Sequence, residues 1–357
     1  MRSQALFVAT LASIIALSHS YVLPPPTSPF NVGSKAYVLP KIAVDDPKAP
    51  NAQRFSVKIC LKRYLQSLRR VLRTSGTFRN IITRTSYNAE SLPSKEWRTL
   101  ELPTLIFSPS FAGPPSQLFH ALFSDLVSQG YTIVTMDHPY EQPYFQLPDG
   151  TGISDLPFDY DTDTVEAQEL LQRVHDYRLT DDSAVLAALP SISTHLSIPL
   201  NTTHCSLIGH SLGGSAALGQ ILHKRAHTTN RTHQIFGALN MDGSLWAPAS
   251  TNDSSADLRI PSLLLSSSGP KGDPLFADFD ALQSAWAKEI NIGARTNHTN
   301  FSDLIILKQG LGIAGGEGAV GADRMVNITR TLVGSFQGLV TSKSEGVLRG
   351  TDEIRDA

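Results

Sequence analysis

From residue 104 the chain alternates between short apolar runs and longer segments in which apolar residues recur every three or four positions. TLIFSPS (104–110), YTIVTMDH (131–138), HCSLIGH (204–210), QIFGALNMDG (234–243) and IPSLLLSSSG (260–269) have strand length and end in turn residues. SQLFHALFSDLVSQG (116–130), SLGGSAALGQILHKRAH (211–227), ADFDALQSAWAKEI (277–290) and ADRMVNITRTLVGSF (322–336) have helical spacing. So does TVEAQELLQRVHDYRLTDDSAVLAAL (164–189), which is long enough for one helix or two. Continuously apolar strands separated by helices of about ten residues or more predict βαβ units. Such strands are buried on both sides. The expected class is therefore α/β, a mostly parallel central sheet with helices on both faces.

The N-terminal part reads differently. Residues 1–20 combine Arg2, the 13-residue apolar stretch ALFVATLASIIAL, and small residues at Ser18 and Ser20. That is the pattern of a cleaved secretory signal peptide. The apolar stretch falls short of the ~20 residues that a membrane span needs, and no later segment reads as a transmembrane span. Residues 21–55 are rich in proline, and residues 47–89 hold ten lysines and arginines with no acidic residue. Within them Leu61, Tyr64, Leu65, Leu68 and Leu72 fall on one helical face. This basic amphipathic insertion, residues 58–85, reads either as an ordinary surface helix with a solvated basic face or as a peripheral contact with a lipid surface. The expected organisation is a signal peptide at 1–20, an N-terminal extension with early strands at 21–100, a catalytic core at 101–340 and a C-terminal tail at 341–357.

Composition narrows the partners. A length of 357 residues supports a sizeable core, and a formal net charge of −2 gives no sign of a nucleic-acid partner. No CxxC, no HExxH and no cluster with metal-ligand spacing occurs, so neither a metal nor a cofactor is expected. Sequons at Asn201, Asn230, Asn252, Asn297, Asn300 and Asn327 fit a secreted, extracellular glycoprotein. Cys60 and Cys205 could pair in an oxidising compartment, or Cys205 could be a small buried side chain.

The chemistry-bearing motif is Gly209-His210-Ser211-Leu212-Gly213, placed between a strand and a helix. G-x-S-x-G in that context is a nucleophile elbow, a tight turn that lifts a serine hydroxyl above the sheet edge. A serine hydroxyl needs a base, and the base needs an orienting acid. In α/β-hydrolases these follow in the order Ser, Asp or Glu, His. Asp242 stands just past the next apolar run, although it could also be a simple turn aspartate before Gly243. His298 is the one histidine after Asp242. Asp257 is the fallback acid. The oxyanion hole needs two backbone N–H donors. Leu212, after the nucleophile, is one candidate; Phe111 in SPSFAG is the other, with Ser110 as second choice. His298 must approach Ser211 closely, so the sequons at Asn297 and Asn300 beside it are expected to be unoccupied.

LIFSPSFAG, DLVSQGYTIVTMDHPYE, GHSLGG, LNMDGSLW, IPSLLLSSSG, NHTNFSD and GADRMVNITRTLVGSF, spread over residues 101–338, resemble the plasma-type platelet-activating factor acetylhydrolase family of the α/β-hydrolase superfamily, particularly its secreted fungal relatives. The resemblance implies Ser211 as nucleophile, Asp242 as acid, His298 as base, and Phe111 and Leu212 as oxyanion donors. It implies a calcium-independent serine esterase that removes short acyl groups from the sn-2 position of phospholipids, as a 1-alkyl-2-acetylglycerophosphocholine esterase does. Two features depart from the family. The family usually has glycine and histidine in the early oxyanion loop, where this chain has Pro109 and Ser110, and residues 58–85 do not resemble its early strand pair.

The functional expectation is thus a secreted serine esterase with a lipid or small ester as substrate. A general short-chain carboxylesterase, or a cutinase or polyester-type hydrolase, is the alternative within the enzyme class. A non-catalytic hydrolase-fold binding protein is the alternative outside it. The aromatic residues Tyr140, Tyr144 and Phe145 are candidates for lining an acyl pocket or for packing their own loop.

Overall fold

The computed structural model describes residues 21–28, 32–40, 54–59, 81–82, 85–87, 102–154 except 148, 164–227 except 199, 233–267, and 274–350 except 294, 311, 313–318 and 343. The signal-like segment, Cys60, most of the basic insertion and Asn230 lie outside these residues.

In chain order the strands are β1 (Tyr21–Val22), β2 (Val32–Pro40), β3 (Arg54–Ile59), β4 (Ile81–Ile82), β5 (Thr85–Tyr87), β6 (Thr104–Ser108), β7 (Ile133–Asp137), β8 (Tyr144–Gln146), β9 (Gly152–Ser154), β10 (His204–His210), β11 (Gln234–Met241), β12 (Ser262–Ser266) and β13 (Ala287–Asn291). The helices are α1 (His120–Ser128), α2 (Val165–Leu196), α3 (Leu212–His227), α4 (Pro274–Leu282), α5 (Leu304–Gly310) and α6 (Ala322–Ser342). Nine strands form the main sheet in the order β13-β12-β11-β10-β6-β7-β3-β2-β5. From β13 to β7 every pairing is parallel; β3 runs antiparallel to both β7 and β2. The early strands β2 and β3 therefore extend the sheet beyond β7, and β8 and β9 make a separate hairpin.

Strand alternation divides the core in two. Leu105, Phe107, Ile208, Leu239 and Met241 pack on one side of the sheet with Phe119, Phe123, Leu126, Val333 and Phe336 from α1, α6 and the turn before α1. Ile106, Leu207 and Ala238 face the other side with Val185, Leu189, Leu218 and Ile221 of α2 and α3. The rings of Phe119 and Phe123 each lie 4.7 Å from that of Phe107. Full burial of such a side chain contributes about 1.5–3 kcal/mol. The chain leaves β6 for β7 on one flank and later returns to β10 on the other flank of β6. Strand order thus reverses at β6, and in open α/β sheets the ligand crevice lies beyond the carboxyl ends at such a reversal.

One element differs from the sequence expectation. Residues 277–290 are not one helix: α4 ends at Leu282, and Ala287–Asn291 form the edge strand β13. Leu282, Trp286 and Ile290 have helical spacing, but tertiary contacts stop the helix. Asp257 takes the N–H of Ser284 at 3.1 Å. Ile290, fully buried, then pairs along β12. The segment expected as one helix or two is a single helix, Val165–Leu196, which runs through Pro190 and is capped by Ser197 in the left-handed region (φ 50°). Its Thr164 cap accepts the N–H of Ala167 at 3.2 Å. Among the described residues no helix is long and apolar enough to cross a membrane.

Asp182 of α2 is buried, and its Oδ1 has no hydrogen-bond partner among the described residues. Burial first, then the neighbouring Asp181, pushes its carboxyl up to about 8, against the pull of Arg178. In the unfolded chain the same group releases its proton near pH 4. The folded state must therefore hold a proton that the unfolded state sheds, and stability falls as pH rises from about 4 to about 8. Asp182→Asn cannot ionise. It is expected to raise the melting temperature at pH 7 and to change it least at pH 4, as read by thermal unfolding across that range.

Candidate active site

β10 ends at His210, α3 begins at Leu212, and Ser211 between them has φ 57°. That left-handed conformation costs a non-glycine residue on the order of 1–3 kcal/mol, so surrounding contacts must hold it. The Ser211 N–H donates to the Met241 carbonyl at 2.9 Å, and the Ser211 carbonyl accepts from Gly214 N–H at 2.8 Å. Glycines make room for this turn. A Cβ on Gly209 would run into the Gly213 backbone, and one on Gly213 into the carbonyls of Ser108 and Pro109. Helix α3 can lie against the end of β6 because nothing projects from Gly213.

Asp242 directly follows β11, with its own left-handed turn (φ 56°) and its N–H bonded to the Leu265 carbonyl at 2.7 Å. Its carboxylate accepts the Ser267 N–H at 2.6 Å, the Ser267 hydroxyl at 2.9 Å and the His298 Nδ1–H at 2.7 Å. Burial works against charge on Asp242, but the hydrogen bonds from His298 and Ser267 outweigh it and hold the carboxyl below its ordinary range. An ionised carboxylate only accepts, so the His298 proton is on Nδ1 and the lone pair is on Nε2. His298 opens a short 3₁₀ turn, His298–Phe301, braced by reciprocal caps. Asn297 Oδ1 takes the Thr299 N–H at 3.2 Å, and Asn300 Oδ1 takes the Asn297 N–H at 2.8 Å. Further on, Asp303 anchors the loop by accepting the N–H groups of His120 and Ala121 at the start of α1, at 2.7 and 3.1 Å. The His298 side chain is 47% exposed, whereas that of Asp242 is 11% exposed.

The loop after β6 is held from behind. The fully buried Arg178 of α2 donates Nη1–H to the Pro109 carbonyl at 2.5 Å and Nε–H to Glu141 Oε2 at 3.0 Å. Gln142 Nε2–H donates to the Ser110 carbonyl at 3.0 Å, and Ala112 N–H to the Glu141 carbonyl at 3.0 Å. Because a trans peptide sets its C=O and N–H on opposite sides, turning the Ser110 carbonyl into Gln142 turns the Phe111 N–H the other way. Leu212 opens α3, so its N–H belongs to the first turn, where amides lack intrahelical acceptors.

The structure therefore joins Asp242 to His298 and seats Ser211 on the residue preceding Asp242. It places Leu212 within the elbow, at the start of α3, and Phe111 on the loop after β6. Asp257 does not stand in reserve: it lies before β12, at the opposite strand end from Asp242, and its Oδ1 is engaged by the N–H groups of Arg259 and Ser284. Asn300 is buried, which is incompatible with a glycan there, whereas Asn297 is exposed. Cys205 is buried in the β10 core, and burial raises its thiol to about 12. Tyr144 belongs to the β8–β9 hairpin, with Phe145, and its ring fills the space above Gly152. Sequence reading missed Arg178, Glu141, Gln142 and Ser267. Only Arg178 left a trace, as a cation beside apolar positions of a long helix.

No protein-family model matches the chain. A curated relative from Arthroderma benhamiae, named a probable 1-alkyl-2-acetylglycerophosphocholine esterase, is 27% identical over 271 residues, covering 70% of this chain and 63% of that protein. The chain thus spans less than two thirds of the relative's length. Among solved structures, the ferulic acid esterase from Streptomyces cinnamoneus superposes with a TM-score of 0.67 at 21% identity, covering 89% of this chain and 92% of that one. The fold is an α/β-hydrolase fold, as the strand and helix pattern and the motif resemblance implied.

Removing one partner from a buried ion pair leaves the other charge stranded, at a cost of about 3–5 kcal/mol. Arg178→Met strands Glu141 and the Pro109 carbonyl together. Denaturant unfolding is expected to show a loss of that order, and a loss below about 1 kcal/mol would mean that the clamp on the loop is not structural. Gly213→Ala, which forces a methyl into the Ser108 carbonyl, is expected to prevent recovery of soluble folded protein on expression.

Proposed function

We propose that the chain is a secreted, calcium-independent serine esterase acting on short acyl esters through an acyl-Ser211 intermediate. The substrate class that fits best is a phospholipid with an acetyl or short acyl group at the sn-2 position, the chemistry in the curated relative's name. The observation that carries this reading is the 2.7 Å bond from His298 Nδ1–H to Asp242, formed at the strand end beside the strained Ser211.

In this mechanism His298 Nε2 takes the hydroxyl proton as Ser211 Oγ attacks the ester carbonyl. Asp242 holds the tautomer and stabilises the imidazolium. The N–H groups of Leu212 and Phe111 receive the oxyanion, where one donor contributes about 3–4 kcal/mol. His298 then protonates the departing alcohol, and water, deprotonated by His298, releases the acid from Ser211. No step requires a metal.

Ser211→Ala and His298→Ala are each expected to lower kcat on p-nitrophenyl acetate by about 10⁴ or more, and the double variant by little more than either alone. Clearly additive losses would break the assignment. Asp242→Asn is expected to keep the fold and to lose about 10⁴ in kcat through the wrong tautomer. EDTA and calcium are expected to leave the rate unchanged. Comparing kcat/KM across acyl lengths, on phospholipids and on simple esters, separates the phospholipid reading, which favours short sn-2 chains, from a general carboxylesterase, which shows no headgroup preference.

A further inference from the structure

We infer that His210, the residue before the nucleophile, is a positioning residue that ties the loop of the base to the loop of the oxyanion hole. The inference rests on the esterase reading above and concerns a side chain that the mechanism does not otherwise use.

The His210 ring is fully buried. Its Nε2 lies 2.7 Å from the backbone carbonyl of His298. A carbonyl only accepts, so Nε2 carries the hydrogen and Nδ1 carries a lone pair. Nδ1 faces the Ser110 hydroxyl at hydrogen-bond distance, and the Ser110 O–H therefore donates to it. Burial, reinforced by the neighbouring His298, lowers the imidazole to about 3, so the ring is neutral wherever a serine esterase works. The tautomer is set by its two partners rather than by pH.

The ring has no freedom to relax. It packs against Phe119 at 5.4 Å, Phe301 at 5.9 Å and the His298 ring at 4.6 Å between centroids. One rigid, neutral side chain next to Ser211 thus bonds the backbone of the base on one side. On the other it bonds the residue whose carbonyl defines the Phe111 peptide plane. Gln142 and Arg178 hold the far side of that same loop.

A displacement of about 1 Å in catalytic groups can cost 10² in rate. Ser110→Ala removes only the hydroxyl and keeps the backbone N–H. His210→Gln keeps a donor that reaches toward the His298 carbonyl and removes the ring acceptor. Each variant, in the full chain, is assayed with p-nitrophenyl acetate, with active sites counted by fluorophosphonate. The expected result is a fall in kcat per active site of about 10- to 100-fold with KM within about two-fold. The double variant should be no worse than His210→Gln, because the shared bond is already broken. An unchanged kcat per active site, even with a lower melting temperature, would make His210 a packing residue and overturn the proposal. Full additivity would overturn the Ser110–His210 link. If Ser211→Ala hydrolyses the ester as fast as the unaltered chain, the esterase reading fails instead, and that result is distinct from both.

Discussion

A methyl group at Gly213 would occupy the space of the Ser108 and Pro109 carbonyls, and one at Gly209 that of the Gly213 backbone. The site depends on this closeness of helix α3 to the ends of β6 and β10. It bends the chain so sharply that Ser211 enters the left-handed region, and it brings the first turn of α3 beside the loop that carries Phe111. Hydrogen bonds to Met241, Gly214 and Ser215 then hold the strained residue. Strain of this kind persists where the surroundings over-determine it, and such places are where catalytic groups are displayed.

Around the elbow, parallel strands bring distant residues together. β10 and β11 lie side by side in register, so Ser211 and Asp242, one step beyond each strand, become neighbours. β12 contributes the Leu265 carbonyl, and Ser267 follows directly after it; together they fix the turn and carboxylate of Asp242. The loop after β13 supplies His298, and Asp303 pins that loop to the start of α1. On the other flank, a buried Arg178–Glu141 pair stiffens the loop after β6. A buried pair of this kind is costly to desolvate, and here the same guanidinium also donates to the Pro109 carbonyl.

The parts legible in the sequence are those whose signal is local. The five apolar runs became strands and the elbow stood out by its glycines, because tight turns demand particular residues. The pairing of Asp242 with His298 was expected from chain order on this fold, and the two side chains are hydrogen-bonded. Less legible were features decided by contacts between distant segments. Residues 277–290 satisfy a helical pattern until Asp257 and β12 claim Ser284 and Ile290. Arg178 looks like any helix cation until α2 is laid over Pro109 and Glu141. The buried state of Asn300 and the exposure of Asn297 came from reciprocal capping that their shared sequon pattern does not distinguish.

In the proposed mechanism Ser211 forms a covalent acyl intermediate, with His298 and Asp242 as its base and acid. Rapid acid quench during turnover of p-nitrophenyl acetate, followed by peptide mass mapping, tests it directly. The expected result is an acetyl group on the peptide that carries Ser211, absent from Ser211→Ala and accumulating before steady state. Acetyl transfer to another residue, or turnover with no covalent adduct, would contradict it.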